Sequence, residues 1–499
     1  MITKELREHI LSVREKINRH VNGQEYELAR EDVQELESIL EVNDEIRDDV
    51  HFLSLHTMAA FYKRDKNYTK SVHYSKQALH IKGMENEYPG FVIDTFLDYA
   101  ELEREQKHLP KAMELVNELL DMLKSINWQD MYTYGMAYSS LGKVYLDEKN
   151  DDFGVRYLEQ ALNYFRKSVN KKDLIIGQTT ALISDVYIRM KDYNKALSLY
   201  QQLLETNQQS EDKVSEGKTL LKIGEIYFYI DAKKARRTIT QALKLFEDVY
   251  EDKHIDIAKG NLLLGELDET MGGIPRAIKY YKRSLDQMDS FYKENHFLIV
   301  YVYSKIGTLS ITINEWDQAE HNLEKGLDLS DGFPKMKLQF FHALGKVYSE
   351  KELYEQAFSF FQDSLQELAK DGRKQSKGYA DTLQDIGFNL RNQDKLEEAY
   401  VYFQEALTIH EQLQPGFPEE SGMICMRLAY CYENKEDNDL QKAAFYYEKG
   451  FKQIEKMPDQ EMVQEALAGM IEFFTRMDNP KKKRKYEDKF VKLQRAKSK

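Results

Sequence analysis

The sequence predicts an all-α fold, a solenoid of about ten helix hairpins with a further capping hairpin at each end. Three observations support this prediction. A small residue recurs with a period of about 41 residues, a second helical pattern follows each occurrence, and none of the eight prolines falls inside a predicted helix. Self-similarity at such a period is typical of repeat proteins, in which each hairpin buries its apolar face by stacking on its neighbours. We therefore expect one continuous stack.

A Leu-Gly or Ile-Gly pair marks the first helix of most repeats. The pairs are Leu141-Gly142, Ile223-Gly224, Leu264-Gly265, Ile306-Gly307, Leu344-Gly345 and Ile386-Gly387. Successive glycines are 82, 41, 42, 38 and 42 residues apart, and Ser184 lies at the middle of the doubled first interval. Ala59, Ala100 and Ala429 extend the series at its two ends. A small residue in mid-helix allows close approach of another helix, which explains why Gly is kept at a cost of ~1 kcal/mol relative to Ala.

A second pattern about twelve residues after each marker predicts a second helix. One example has Ala277, Tyr280, Tyr281, Ser284 and Leu285, whose offsets of three, four and seven place them on one helical face. An aromatic residue also follows most markers by three positions. Each repeat is therefore predicted to have two helices, with the large aromatic of one packed beside the small residue of the other.

The two ends of the chain differ from the middle. Helices are predicted at 2–21 and 24–41, with apolar stripes formed by Leu6, Ile10, Val13 and Ile17 and by Leu28, Val33, Leu36 and Leu40. We predict a hairpin or divergent repeat at 1–50, the repeats over 51–455, and a capping hairpin with a basic last helix at 456–499. The fifth repeat is one residue short and the tenth is two residues long, and both changes are predicted to fall in loops.

The order of small and aromatic residues over about 51–455 resembles the tetratricopeptide repeat. This resemblance implies a right-handed superhelix whose concave face binds proteins or peptides. The usual repeat has 34 residues, so the longer period here implies longer helices, similar to those of kinesin light chains and of Rap-like peptide-pheromone receptors of Gram-positive bacteria. Chaperone-tail receptors of the family clamp a terminal carboxylate with Lys, Asn and Arg on successive helices, and no consecutive repeats here carry that set.

Charge and hydropathy exclude several classes of partner. Lys and Arg number 71 against 85 Asp and Glu, a net charge of −14, so the chain as a whole offers no electrostatic support for binding nucleic acid. The sequence contains no signal peptide and no apolar run of the ~20 residues that a membrane span needs, which predicts a cytoplasmic protein. The basic run 480–485 resembles a nuclear-import signal, and we interpret it as the solvated face of a terminal helix.

No pattern in the sequence indicates catalysis, a metal site or a cofactor. A zinc-binding histidine pair, Gly-x-Ser-x-Gly and a Gly-rich dinucleotide loop are all absent. Acidic pairs such as Asp147-Glu148 are too common to indicate acid–base chemistry. Cys425 and Cys431 are six apart in one predicted helix and cannot bridge. We therefore predict a binding protein rather than an enzyme.

The first helix of each repeat is predicted to line the concave face. Exposed positions there lie six, three and two residues before each marker and one after it. The predicted ligand-binding residues are Gln178, Lys218, Lys222, Lys259, Tyr301, Ser304, Lys305, Gln339, His342 and Lys346, and the same counting gives Asp185, Glu225, Glu266, Asp381, Gln384 and Asp385. The five lysines are predicted to form a positive strip. We therefore expect the ligand to be an extended peptide with acidic groups or a free carboxylate.

Two other functions remain open at this point. An assembly adaptor would hold two proteins together by its outer faces, without a peptide groove. A Rap-like aspartyl-phosphate hydrolase would need a catalytic N-terminal bundle, for which residues 1–50 look short. No helix-turn-helix domain precedes the repeats, which disfavours a DNA-binding receptor. Deletion of residues 1–50 is predicted to separate a groove-binding protein, which keeps its ligand, from a hydrolase, which loses its activity.

Overall fold

The chain folds into helices throughout the described residues. The computed structural model describes residues 3–42, 49–168, 173–251, 253–293, 296–413, 418–455, 457 and 460–497, and over these it has 25 helices and no strand. In chain order the helices are α1 (Lys4–Asn22), α2 (Tyr26–Val42), α3 (Asp49–Arg64), α4 (Tyr68–Leu79), α5 (Met84–Glu87), α6 (Pro89–Glu105), α7 (Leu109–Ser125), α8 (Met131–Asp147), α9 (Asp151–Lys167), α10 (Asp173–Arg189), α11 (Tyr193–Gln209), α12 (Lys213–Phe228), α13 (Ala232–Val249), α14 (Ile255–Thr270), α15 (Ile274–Met288), α16 (Phe297–Thr312), α17 (Trp316–Asp328), α18 (Pro334–Glu350), α19 (Tyr354–Lys370), α20 (Lys377–Asn392), α21 (Leu396–Gln412), α22 (Pro418–Asn434), α23 (Leu440–Ile454), α24 (Gln460–Arg476) and α25 (Pro480–Lys497).

The helices form an α-solenoid in which hairpins pack in chain order. The chain divides into two compact units, Met1–Ala242 and Leu243–Lys499, called here the N-terminal and C-terminal units. Within each unit a first helix packs on the second helix of its own hairpin, as α8 does on α9 and α20 on α21. The second helix then packs on the next first helix, as α7 does on α8 and α21 on α22. The predicted all-helical solenoid is confirmed.

The glycine markers lie where the two helices of a hairpin cross. A Cβ atom built on Gly265 would lie 2.9 Å from the Tyr281 ring, and one on Gly307 would lie 2.5 Å from the Leu323 side chain. Gly345 meets Phe361 in the same way, at 2.5 Å. The second-helix side chains fill the space that the missing Cβ leaves, as the sequence predicted.

The turn inside most hairpins has three residues, and the second of them is left-handed. Lys149 has φ 61°, and corresponding residues such as Lys107, Asn314 and Asp394 also have positive φ. The amide of the third turn residue, Asn150, donates to the Tyr145 carbonyl at 2.9 Å, which closes the end of the first helix. The Asn150 side chain then accepts a hydrogen bond from the Phe153 amide and caps the second helix.

The two repeats of unusual length differ in where the change falls. In the tenth repeat the turn between α22 and α23 has five residues, 435–439, so the prediction of a longer loop is confirmed. In the fifth repeat the turn keeps three residues, and α12 instead ends one residue closer to its marker, Gly224. No residue of that turn, 229–231, has positive φ. The prediction that this deletion falls in the loop is therefore wrong.

The N-terminal hairpin shares a hydrophobic core with the helices that follow it. Ile10, Val13 and Ile17 are buried, as predicted, in a cluster that continues into α3. Leu28 is 47% exposed, and its predicted place in the α2 stripe is taken by Ala29. The spacing explains the error, because Ala29 lies four residues before Val33 on the same helical face.

The basic run at the start of α25 contacts the preceding hairpin. Lys482 pairs with Glu448 at 2.8 Å, and its ammonium lies 5.2 Å from the centre of the Phe474 ring. The Tyr486 hydroxyl donates to Glu448 at 2.9 Å and is 2% exposed as a residue. The run is therefore partly structural rather than simply a solvated face. Pro415 and Pro458, two of the predicted loop prolines, lie outside the described residues.

Candidate binding surfaces on the first helices

In the C-terminal unit, polar side chains connect successive first helices. The Tyr301 hydroxyl on α16 donates to Glu266 on α14 at 3.1 Å, and Lys305 pairs with Glu269 at 2.8 Å. One step along the stack, His342 Nε2 on α18 lies 2.7 Å from Asp385 Oδ2 on α20. The structure thus brings Tyr301, Lys305 and His342 to the side of the stack where first helices meet.

The lysines of the predicted strip are exposed or half-exposed, and several are paired. Lys346 Nζ lies 3.5 Å from Asp385, which His342 also contacts, and Lys222 pairs with Glu225 on its own helix at 2.7 Å. Together with the Lys305–Glu269 pair, these contacts neutralise part of the predicted positive charge. The surface therefore has alternating charges instead of one sign.

Ser304 is the one predicted ligand-binding residue that is buried among the described residues. It is only 9% exposed, although the counting rule placed it on the accessible face. Its backbone carbonyl accepts a hydrogen bond from the Thr308 hydroxyl at 2.8 Å. The equivalent position in the next repeat, His342, is half-exposed, so the same spacing from the marker does not give the same exposure.

The remaining predicted residues keep their expected exposure. Lys259 on α14 and Gln339 on α18 are exposed in the C-terminal unit. Gln178 on α10, and Lys218 and Lys222 on α12, are exposed in the N-terminal unit. The two sets belong to different compact units, and we call the C-terminal set the α14–α18 surface. It consists of Lys259, Tyr301, Lys305, Gln339, His342 and Lys346.

Burial changes the chemistry of the tyrosine on this surface. Burial raises the pKa of Tyr301 above its ordinary value, and the nearby Glu266 carboxylate raises it further. The hydroxyl therefore stays protonated at neutral pH and acts as a hydrogen-bond donor. The Lys305 ammonium lies 5.5 Å from the centre of the Tyr301 ring, a cation–π distance that holds the two side chains together.

Two clusters on first helices were not selected from the sequence. In the N-terminal unit, His56 lies close to Thr95 and Arg14. In the C-terminal unit, the same counting rule applied to Ala429 gives Met423, Met426, Arg427 and Tyr430, which line a pocket. The marker spacing therefore contained the signal for the second cluster, although the counting stopped one repeat too early.

Comparison with known proteins agrees with the hairpin architecture. Family models described as tetratricopeptide repeat match residues 133–209 and 176–248, and another matches residues 380–413. A curated relative from Arabidopsis thaliana, protein kinesin light chain-related 3, is 26% identical over 187 residues, which cover 36% of this chain and 29% of the relative. The matched segment is thus less than a third of that relative's length.

Solved structures with similar folds were also found. The apo form of RapI aligns with a TM-score of 0.47 and 15% identity, covering 77% of this chain and 98% of RapI. A putative kinesin light chain of nearly identical TPR-like repeats from Podosopora anserina aligns with a TM-score of 0.35 and 12% identity, covering 40% of this chain and 96% of that one.

The stacked hairpins, with small residues at their helix crossings, define an α-solenoid of the helical-repeat class. The matched segments cover α8 to α13 and α20 to α21. Over these segments the chain is similar to the tetratricopeptide repeat. No helix of the described segments has the length and apolar character needed to cross a bilayer.

Proposed function

We propose that this chain is a regulatory scaffold that binds an extended peptide or protein segment on the α14–α18 surface, and that it acts by binding rather than catalysis. One observation supports this proposal most strongly. Side chains of successive first helices are joined by the Tyr301–Glu266, Lys305–Glu269 and His342–Asp385 contacts, which fix their positions before any ligand arrives. Such preorganisation lowers the entropy cost of binding.

The charge pairs of this surface suggest the chemistry of the ligand. Lys305 and Lys346 are bound to carboxylates of neighbouring first helices but stay 28% and 47% exposed at their side chains. A ligand carboxylate can therefore bind these ammonium groups from the solvent side. We propose a ligand with acidic groups or a free carboxylate. Gln178, Lys218 and Lys222 are proposed as a second, separate contact region in the N-terminal unit.

Charge reversal tests this proposal. Partners would be captured with the full chain and identified, and their affinities then measured for Lys305→Glu with Lys346→Glu, for Lys222→Glu with Lys305→Glu, and for Lys222→Glu alone. We expect a partner of the α14–α18 surface to bind at least tenfold more weakly to the first pair, and its binding to weaken as salt rises. Lys452→Glu, the same charge change on an exposed lysine of a second helix, is the control.

The adaptor alternative rests on exposed apolar side chains of second helices. Val401 on α21 is 56% exposed and Phe445 on α23 is 58% exposed. If Val401→Ser with Phe445→Ser abolishes capture while the lysine reversals do not, the outer face is the binding surface and the proposal fails. Deletion of residues 1–50 is not a clean test, because it would uncover the core that α1 and α2 share with α3.

A further inference from the structure

A pocket of about 370 Å³ lies among the last three first helices of the C-terminal unit. Phe388 comes from α20, Met423 and Met426 come from α22, and Met462 comes from α24. Pockets that take ligands typically measure about 300–1,000 Å³, so this one has room for one or two side chains of a ligand. Methionine is flexible and polarisable, and it adapts to apolar groups of different shape.

Two arginines lie against the aromatic wall of this pocket. The Arg391 guanidinium carbon is 4.4 Å from the centre of the Phe388 ring, and the Arg427 guanidinium carbon is 5.3 Å from the same centre. Arg391 also lies 5.6 Å from the centre of the Tyr430 ring. Two like charges on one ring repel each other, so an anion between or beside them is favoured.

Arg427 has a hydrogen-bond donor without an acceptor. Its Nη1 atom is buried and has no hydrogen-bond partner among the described residues. Burial lowers the pKa of this guanidinium, the Asp385 charge raises it, and the Arg391 charge lowers it again. Leaving a buried charged donor unsatisfied is costly, and a carboxylate is the group that matches a guanidinium best.

Two carboxylates in this part of the C-terminal unit are engaged by other groups. Glu433 accepts a hydrogen bond from the Tyr447 hydroxyl at 2.9 Å and pairs with Arg476. Asp385 contacts His342 at 2.7 Å and Lys346 at 3.5 Å. Glu465 also lines the pocket, at an exposed position where it can bind a backbone amide or a basic group of the ligand.

We propose that this pocket binds a segment of a partner protein in which an acidic side chain stands next to a large apolar side chain. The acidic group contacts Arg427 and Arg391, and the apolar group lies among Met423, Met426 and Phe388. The exposed positions of Tyr430, Glu465 and Gly469 leave the pocket open, so that the peptide chain can continue past it. This inference relies on the proposed binding function of the chain but not on the α14–α18 surface.

The test uses the full chain and a defined set of probes. N-acetylated, C-amidated nonapeptides would carry a central Asp or Glu beside Leu, Met or Phe, and matched copies would carry Asn or Gln instead. We expect fluorescence polarisation to detect binding of the acidic peptides, with at least tenfold weaker binding of the amide copies.

Two variants impair the pocket in different ways. Arg427→Met removes the charge but leaves an unbranched side chain of similar length. Gly469→Leu adds a side chain to α24 at a position where a new Cβ meets no atom within 4 Å, so the fold has room for it. Both variants are expected to bind the acidic peptides at least tenfold more weakly, while their circular dichroism spectra stay unchanged. Lys452→Glu is expected to bind these peptides with unchanged affinity.

The outcomes separate this inference from the proposed function. Gly469→Leu should lose affinity for the acidic peptides but keep a partner whose binding depends on Lys305 and Lys346, because Gly469 lines the pocket and those lysines do not. The inference is overturned if no peptide distinguishes Asp or Glu from Asn or Gln, or if Gly469→Leu binds the peptides like the unaltered protein. Binding that requires a free C-terminal carboxylate would also overturn it, since the acidic side chain would then not be the recognised group.

Discussion

Glycine in the middle of a first helix is retained because a neighbouring side chain occupies its missing Cβ. At Gly307 the Leu323 side chain would lie 2.5 Å from an added Cβ, which is much closer than atoms can approach. Leu323 is fully buried, so it has no free space into which it can move. Close packing at this one atom therefore sets the distance between two helices.

Gly307→Leu is predicted to destabilise the protein by about 1–3 kcal/mol, because it overpacks the crossing of α16 and α17. The loss should be visible as a lower midpoint in urea or heat. Gly177→Leu is the control, since a Cβ on that helical glycine meets nothing within 4 Å. Equal stability of Gly307→Leu and the unaltered protein would contradict the assigned repeat register.

His56 is held in its neutral form inside the N-terminal unit. Burial and the nearby Arg14 charge together lower the pKa of His56 from 6.5 to about 4, although the Asp98 charge acts in the opposite direction. The Thr95 hydroxyl donates to the Phe91 carbonyl at 2.7 Å, so His56 Nδ1 is the donor in its 2.9 Å contact with that hydroxyl. The ring thus has a fixed tautomer.

The free energy of unfolding is predicted to fall between pH 6.5 and pH 4, because the unfolded chain takes up a proton on His56 that the folded chain does not. The His56 contribution between pH 6.5 and 5 is about 2 kcal/mol. His56→Gln should show a correspondingly weaker pH dependence in urea denaturation. His9→Gln, at a half-exposed histidine, serves as the control, and an unchanged pH dependence in His56→Gln would contradict the prediction.

Among the structural elements, the turn inside the hairpins has the most regular conformation. Its left-handed residue is Lys, Asn, Asp or Glu in most repeats, although glycine adopts this conformation at lower cost. Lys149 is exposed, so its side chain contributes little packing in return. The strain of the turn is offset by the hydrogen bonds that end one helix and begin the next.

Lys149→Gly is predicted to raise the free energy of unfolding by about 1 kcal/mol, because glycine relieves the strain at φ 61°. Glu148→Gly, one residue earlier at φ −74°, should instead destabilise, since there glycine only adds freedom to the unfolded chain. Thermal melts of the two variants measure both effects. Destabilisation by Lys149→Gly would show that the turn is held by the lysine side chain.

The whole molecule is stabilised by repeated packing between hairpins. Cys425 and Cys431 are both fully buried and unpaired, and burial raises their pKa values to about 12 and about 11. No group of three or more potential metal ligands occurs within the described ranges. A disulfide bond or a bound metal ion could connect distant parts of a chain, and neither kind of link is found among the described residues.

The thermal midpoint is therefore predicted to be the same with and without EDTA or a reductant, and the thiols should react with a disulfide reagent only after denaturation. Melting curves and a thiol assay at pH 8 check this expectation. A midpoint lowered by EDTA, or fast labelling of the folded chain, would contradict it.

The sequence was informative about contacts within a repeat and less so about contacts between repeats. Gly265 and Tyr281 follow a fixed spacing, so their packing could be read from the pattern. The Lys305–Glu269 pair joins two helices through side-chain geometry that no local spacing defines. Ser304 shows the same limit, because the same spacing from the marker leaves it buried and His342 half-exposed. The arginine pocket follows the same spacing from Ala429, so four of its lining residues are predictable from the sequence.

The self-contained turn also bears on how the chain is made. In most hairpins the first helix ends on a hydrogen bond from the third turn residue, and Asn150 also caps the second helix with its side chain. A hairpin that leaves the ribosome can therefore form without waiting for a distant segment, and the next hairpin adds to it. Contacts between sequence neighbours fold faster than contacts that close long loops. Synthesis from the N-terminus would thus extend an already ordered stack, and little apolar surface would be exposed at any moment to other nascent chains.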